Sequence, residues 1–599
     1  MARLTPLSKG LITLIVLGAV GAGVYQQRAR LFPEKPHDEA RVPPRADLPA
    51  VPAAATPTAP TGGTIPAVVE GRPGCAGEPE VRFYHWAWNA QMGLMLANGG
   101  KQAAKGSLMC KHGVNLRLIR EDNVDQMQSL LLTFAERLKA GERNPDKGSH
   151  FVAIMGDGSA AFLKALNDNL KKLGADYTAV VVGSTGFSRG EDKFMGPPAW
   201  KANPQSARGG VVSGYLRDGD WNIAMKWLAD NGIPNNPDET VYDPDALNWI
   251  PSSDYIDAAQ KYVSGFCSDL KNVKTKQTER RCVEAVVTWT PGDVTVAESK
   301  GGLVSIVSTK EYRSQMPNVI IGNRKWIREH QDLVKGMLAA IFEAGNQIKQ
   351  DDAALRKAAA VSALVYAEKD PDYWYRYFAV RTVADKQGLT VELGGSAVNN
   401  LADNLNLFGL APGSTNLFGA TYQVFGEIVK QQYPKLVPSI YPADQVVELT
   451  ALKALAAETT AMAPADLPSF NTVDTARATT SVVSRRSWDI QFATAKAQFT
   501  PKAADTLQQL LKDLVIAGGT TVEIHGHTDS VGSVDANAQL SEDRAFAVKT
   551  WLERKAPTSF PQGRVRVFSH GSTEPLASNG TAEGRARNRR VEIVLGTNL

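Results

Sequence analysis

The chain has 599 residues, 43% of them hydrophobic, and a formal net charge of +4. At roughly 100–200 residues per domain this is too long for a single core, so several domains are expected. Basic and acidic residues nearly balance, 66 against 62, with no basic stripe, which argues against a nucleic-acid partner.

In chain order, Arg3 and Lys9 precede the uncharged apolar run LITLIVLGAVGAGVY at 11–25. A bilayer-spanning helix needs about 20 apolar residues, with about 17 as the short end. Residues 1–31 therefore fit an uncleaved inner-membrane anchor or a secretory signal. The absence of a clear A-x-A site favours the anchor, and no cysteine stands at the end of the run for lipid attachment. Either way the bulk of the chain is expected in the periplasm. Residues 32–75 are rich in Pro and Ala and should stay extended, spanning on the order of 100 Å as a tether or serving only as a disordered tail.

Cys75, Cys110, Cys267 and Cys282 form no C-x-x-C and no zinc spacing. In an oxidising compartment an even count implies disulfides. The local pairings Cys75–Cys110 and Cys267–Cys282 are predicted, with buried free thiols as the alternative.

From 76 to 450, short β-rich runs alternate with helical patterns. VRFYHWAW, GVNLRLIR, HFVAIMG and YTAVVVGST read as strands; NVDQMQSLLLTFAERLKAG and SAAFLKALNDNLKKLG read as helices. Such alternation implies parallel sheets. GDGSAAF (156–162), GSTG (183–186) and RDGDWN (217–222) read as glycine-rich turns opening helices, where unpaired N–H groups can meet a ligand oxygen. GFSRG at 186–190 matches the G-x-S-x-G nucleophile elbow, but EDKFMGPP follows where the elbow needs a helix. A turn is the better account of Ser188 than catalysis.

The region resembles the periplasmic substrate-binding proteins of ABC importers, nearest the nitrate/sulfonate/taurine type. The residues that carry this are YHWAWNAQMG, FVAIMGDGSAA, GGVVSGYLRDGDWNIAMKWLADNGI and VEAVVTWTPGDVTVAES. The resemblance implies an α/β, type II-like, two-lobed fold closing by a hinge. Lobe one would be 76–180 with 303–450, and lobe two 181–302. It implies a small-molecule solute, an ABC permease as a candidate partner, and no chemistry on the ligand. Candidate cleft residues are Trp86, Trp88, Asn89, Asp157, Ser159, Ser184, Thr185, Asp218, Trp221, Trp289 and Thr290. Aromatic faces with carboxylates would favour a cation or zwitterion; helix N-termini would favour an anion. The tryptophans read equally as core.

Residues 451–486, rich in Ala, Thr and Ser, read as a second linker. The pattern restarts at 487. SWDIQFAT is a strand; TPKAADTLQQLLKDLVIAGG carries the next helix, with Thr500 as N-cap and Pro501 at its first position. TTVEIHGH is a strand, DANAQLSEDRAFAVKTWLERKA a helix, and RVRVFSHGS and NRRVEIVLG strands. At 100° per residue Arg544 falls inside the apolar face formed by Leu540, Val548, Trp551 and Leu552. An uncompensated charge there costs several kcal/mol, so Arg544 should meet a carboxylate, with Asp529 the nearest candidate, or else snorkel.

The order G-H-T-D, N-x-x-L-S-x-x-R-A and N-R-R-V-E resembles the OmpA-like peptidoglycan-binding domain, an α+β fold of βαβαββ order. The resemblance implies that Asp529 and Arg544 bind the diaminopimelate side chain of the stem peptide, Asp529 its ammonium and Arg544 its carboxylate. Thr528 and Asn537 match motif positions around the same pocket, and Asn588 and Arg589 match the closing motif. His525 and His527 share one side of a strand, with no further histidine or cysteine expected to complete a metal set. No metal or cofactor is expected. The chain as a whole is thus expected to be a solute-binding protein tethered to peptidoglycan. The alternatives are a structural link between inner membrane and wall with a non-binding middle domain and, behind it, an enzyme. A flagellar-stator likeness fails on the missing acidic residue in 11–25.

Overall fold

Eleven strands of the middle region form its two larger sheets. In chain order they are β1 (Glu80–His85), β2 (Asn115–Arg120), β3 (Phe151–Met155), β4 (Ala179–Ser188), β5 (Lys193–Gly196), β6 (Val211–Gly214), β7 (Asn248–Pro251), β8 (Ala285–Thr288), β9 (Val304–Ser308), β10 (Pro317–Asn323) and β11 (Ser396–Val398). One sheet has six strands, ordered β11-β4-β10-β3-β1-β2, and the other five, ordered β9-β5-β8-β6-β7. The computed structural model describes residues 72–460, 462–470 and 478–597. The expected anchor and nearly all of the first linker lie outside the described residues. No helix among the described residues is long and apolar enough to cross a membrane.

The chain leaves the first sheet through residues 189–192 and returns through 309–316, so two α/β lobes share two connecting segments. The lobes therefore change after Ser188 and Ser308, later than the predicted boundaries at 180 and 302. β4 continues as a buried strand through GSTGFS, and β9 pairs with β5 in the second sheet. For the same reason GSTG is strand and not a turn, and Ser188 ends a strand. The sheets are mixed and not parallel. β1 runs parallel to β2 and β3, but β10, the first strand after the return, is antiparallel to β3 and β4. β3 and β10 are buried along their whole length, as central strands covered on both faces are. Each fully buried Val, Ile or Phe there contributes about 1.5–3 kcal/mol.

The helices used below are α1 (Ser159–Leu170), α2 (Gly219–Asp230), α3 (Gln331–Gln350), α4 (Leu417–Gln432) and α5 (Thr450–Glu458). α3 buries Val334, Met337, Leu338, Ile341, Phe342, Gly345 and Ile348, the three-and-four spacing of an amphipathic helix. α5 corrects the predicted second linker. It packs on α3 with Ala451 and Leu452 buried, because an Ala/Leu-rich turn finds an apolar neighbour. Both predicted disulfides, Cys75–Cys110 and Cys267–Cys282, are formed. The second joins facing residues of the antiparallel strands Cys267–Asn272 and Thr278–Cys282.

The C-terminal sheet has strands β12 (Ser481–Trp488), β13 (Thr521–His527), β14 (Val565–Gly571) and β15 (Val591–Thr597), in the order β12-β15-β13-β14. Its helices are α6 (Ala503–Ile516), α7 (Val534–Lys555) and α8 (Ala582–Asn588). The order is βαβαββ with the short α8 before the last strand. The first strand starts at Ser481, inside the predicted linker, because its pairing with β15 extends to Thr597. Thr500 does not cap α6; its hydroxyl donates to Gln491 O (3.3 Å) beside the Phe492–Phe499 bridge. α7 is capped by Ser533, whose side chain accepts from Ala536 N. Gly526 lets α7 lie close on β13, since a Cβ there would sit 2.1 Å from Ser541 O.

This last domain rests on the return segment between the lobes. Ser314 N donates to Ile516 O (3.1 Å) and Gly519 N to Glu311 O (3.0 Å). A Cβ on Gly519 would meet Lys310 O at 1.8 Å. From α2, the buried Lys226 Nζ reaches Asp513 Oδ1 on α6 at 2.7 Å while also holding Asp230 at 3.0 Å. Burial works against the Lys226 charge, but the two carboxylates outweigh it and raise its pKa.

Candidate functional site

Two sites emerge. The first lies where the lobes meet. β3 ends in a turn that places Asp157 at the start of α1, and β6 leads to Asp218 and Asp220 at the start of α2. Asp192 comes from the first connecting segment. Asp157 accepts from Gly158 N (3.0 Å) and Gln315 Nε2 (2.7 Å). Asp192 accepts from Trp88 Nε1 (3.2 Å), and its carboxyl shares a hydrogen bond with that of Asp220. The lobes touch here: a Cβ on Gly158 would lie 3.1 Å from Asp218 Oδ1, and one on Gly219 2.4 Å from Met155 Sδ.

Burial, first, then mutual repulsion push these acids up. Asp157 rises to about 8 against the bond from Gln315, with Asp218 and Asp192 adding to the rise. Burial takes Asp192 to about 7 and Asp218 to about 6. Asp220 is raised well above the carboxylate range by burial and by Asp192. Beside the acids, a groove of about 500 Å³ is lined from both lobes, by Trp86, Asp125 and Gly158 on one side and Tyr215, Arg217 and Asp218 on the other.

Of the predicted cleft residues, the structure brings Trp86, Trp88, Asp157 and Asp218 to this place. Trp289 stacks on Tyr255 (centroids 3.8 Å apart) and lies 6.2 Å from Trp86. Asn89, Trp221, Trp289 and Thr290 are buried with side-chain polar atoms that have no partner, and Trp221 packs on Trp249 and Tyr433. Three expectations are corrected. Ser159 closes its own turn onto Gly156 O (2.5 Å). Ser184 and Thr185 lie in β4, bonded to the framework: Ser184 Oγ accepts from Asn399 Nδ2 (2.9 Å) and Thr185 Oγ1 donates to Asn318 Oδ1 (2.6 Å). Sequence reasoning missed Asp192, Asp220 and Gln315. Asp220 stood in the singled-out RDGDWN stretch and Asp192 directly behind GFSRG.

The second site is at the end of β13. Asp529 accepts from Val531 N (3.0 Å) and from Arg589 NH1 (2.6 Å). Burial raises its pKa, but the Arg589 bond, the Val531 N–H and the Arg589 and Arg585 charges outweigh that and hold it below the usual 3.8. Arg544, buried on α7, does not pair with Asp529 as expected, because Arg589 occupies that carboxylate. Its Nε donates to Lys496 O (3.2 Å) and its guanidinium lies 5.1 Å from the Phe492 ring centroid. Among the described residues its remaining N–H groups have no carboxylate partner. Burial and the nearby Arg589 lower its pKa, and Asp529 opposes that. Thr528 is buried with an unpartnered hydroxyl, and Asn537 Nδ2 donates to Val531 O (3.2 Å). Asn588 is corrected to scaffold. Its side chain accepts from Leu576 N and Ala577 N and donates to Ala577 O and Asn579 Oδ1, closing the loop before α8.

His525 and His527 share one face of β13, and both stack on His570, which the sequence reading did not place there. His527, His570 and Glu574 offer ligand atoms within 4.8 Å of one another, which corrects the expectation of no third group. The His527 and His570 rings are parallel to within 8° at 4.7 Å. Lone pairs in two stacked planes do not converge on one point, so the arrangement is poor for an ion. Burial and the Arg590 charge hold His527 near pKa 3, a neutral imidazole.

The C-terminal region carries an OmpA-family domain: residues 491–589 match that family. Over 123 residues the chain is 35% identical to the probable lipoprotein YiaD of Escherichia coli K12, covering 20% of this chain and 55% of that protein. It is 36% identical over 106 residues to the peptidoglycan-binding protein ArfA of Mycobacterium tuberculosis H37Rv, covering 18% of this chain and 32% of the relative. The chain thus spans about half or less of the length of these curated relatives. The middle region is similar to the periplasmic aliphatic sulphonate binding protein SsuA of E. coli, at 13% identity and a TM-score of 0.39, covering 62% of this chain and 92% of that one.

Proposed function

We propose that this protein is a periplasmic solute receptor held non-covalently on peptidoglycan. In this reading the last domain grips diaminopimelate, whose zwitterionic end needs one anion and one cation side by side. Asp529, kept ionised by Arg589, takes the ammonium. Arg544 offers its unpaired N–H groups to the carboxylate, bidentate as guanidinium geometry favours. The observation that carries the reading is this buried Arg544 with no carboxylate of its own, set near Asp529. ArfA, named for peptidoglycan binding, supports it. Full-length protein should co-sediment with purified sacculi. Asp529→Ala and Arg544→Ala should each weaken binding about 10-fold or more, the worth of one charged hydrogen bond. Undiminished binding of the double variant would overturn the assignment.

The middle region in this reading closes its lobes on a solute without transforming it, and passes the solute to an ABC-type permease or reports its presence. Ser188 supports binding over catalysis: its hydroxyl lies 2.6 Å from Thr309 Oγ1 and accepts from Asp192 N, joining the two connecting segments. A purely structural middle domain fits less well with so many unpartnered polar atoms where the lobes meet.

A further inference from the structure

Resting on the solute-receptor reading, we infer that the ligand held between the lobes is an organic cation bearing N–H donors, a primary ammonium or guanidinium. Helix N-termini are ready-made anion sites, and both α1 and α2 begin at the lobe junction. Here two of the chain's own carboxyls stand beside those positions, without capping either helix. Asp157 accepts from Gly158 N, and Asp218 accepts from Gly219 N. A sulfonate or nitrate would meet carboxyl oxygens there in place of open N–H groups.

The buried atoms without a partner here include N–H donors, Trp86 Nε1, Trp289 Nε1 and Asn89 Nδ2 among them, but the charged groups among them are all acids. Asp192 Oδ1 and Asp220 Oδ1 are buried and accept from no N–H or hydroxyl, and the two carboxyls have only the hydrogen bond they share with each other on that side. Gln315, fully buried, turns its Nε2 onto Asp157, which leaves its Oε1 beside the same acids, unpartnered. Three buried acceptors in one cluster call for a donor, and buried acceptors are seldom left without one. The neighbouring cations are committed elsewhere. Lys193 Nζ lies 2.6 Å from Asp293 and donates to Glu392 O; Arg217 lies 3.7 Å from Glu239, over Tyr433. Glu191, the other acid in this connecting segment, is bonded by Ser396. Trp86, on the wall of the groove, and Trp289 beside it offer aromatic surface to such a cation.

The test is isothermal titration of the full chain with putrescine and agmatine, with choline as a cation lacking N–H donors, magnesium as a bare cation, and taurine and sulfate as anions. Putrescine or agmatine should bind saturably. Binding should release protons into the buffer and tighten between about pH 6 and pH 8, because a cation drives Asp157, Asp192 and Asp220 to ionise. The isosteric Asp192→Asn and Asp220→Asn variants should each lose about 10-fold or more, with unchanged thermal unfolding showing that they fold. Binding of taurine or sulfate in place of the amines would overturn the inference and leave the receptor reading standing. Binding of choline or magnesium alone, or amine binding indifferent to both variants, would overturn the inference. Silence from every probe would overturn both.

Discussion

Asp513→Ala removes the carboxylate through which the C-terminal domain holds Lys226. Lys226 is buried and makes three contacts, at 3.0 and 3.1 Å to Asp230 and at 2.7 Å to Asp513. The variant leaves the lysine paired, so the full cost of orphaning a buried charge, about 3–5 kcal/mol, does not apply. What is lost is one hydrogen bond between charged groups, about 1.5–3 kcal/mol. Asp513 retains 18% side-chain exposure, which places the loss toward the lower end, about 1.5–2 kcal/mol. That corresponds to about a 10- to 30-fold larger undocked population. The amides of Ser314 and Gly519 are bonded across the junction, so their hydrogen exchange reports undocking. Both should exchange about 10- to 30-fold faster in the variant, while amides inside β3 and β10 keep their rates. Asp372→Ala, which breaks an exposed pair with Arg376, is the control and should change nothing. Exchange at Ser314 and Gly519 within about twofold of the parent would refute the argument that this ion pair fastens the domain.

Sacculus binding should hold steady between about pH 5 and pH 8. The Asp529 carboxyl lies below its ordinary value, so the ionised form it contributes is present throughout that window and is lost only as pH falls through the lowered value. A loss of co-sedimentation near pH 6 would contradict this. Arg564→Met should destabilise the C-terminal domain by about 3 kcal/mol or more in denaturant unfolding. The side chain is fully buried and donates to the carbonyls of Thr520, Ser559, Leu514 and Ala517, each of which loses that bond in the variant, although Ala517 O keeps Thr520 N and Oγ1. Gly526→Ala should cost about 3 kcal/mol, since the new methyl must displace α7 from β13; a neutral result would mean that the two elements separate freely.

The C-terminal domain could be read from its motif, because G-H-T-D with L-S-x-x-R-A sets particular residue types at particular spacings and the family match covers them. What escaped there was non-local. Arg589 lies sixty positions from Asp529, and nothing in either neighbourhood of the sequence announces that they meet. Asn588, equally part of the closing motif, turned out to hold a loop. In the middle region the strand and helix alternation was visible, but the lobe boundaries were not. Whether GSTGFS is a turn or a strand depends on β10 arriving beside it from across the molecule. The acids at the lobe junction come from three separate stretches. Each alone looked like turn chemistry, since Asp is a common turn and cap residue. Only their convergence in a dry place gives them a different meaning.

The domain proposed to hold the wall rests on residues 311–314, the strip that joins the lobes, and on neither lobe's outer flank alone. Its mooring is therefore also its pivot. Swinging the lobes apart flexes the strip against which Gly519 lies without room for a methyl group. By reciprocity, if opening loosens the mooring by some factor, releasing the mooring eases opening by the same factor. If the middle region is the solute receptor proposed above, that region severed from the last domain and the whole chain should differ in solute affinity by that ratio, so that the mooring sets how tightly the lobes close.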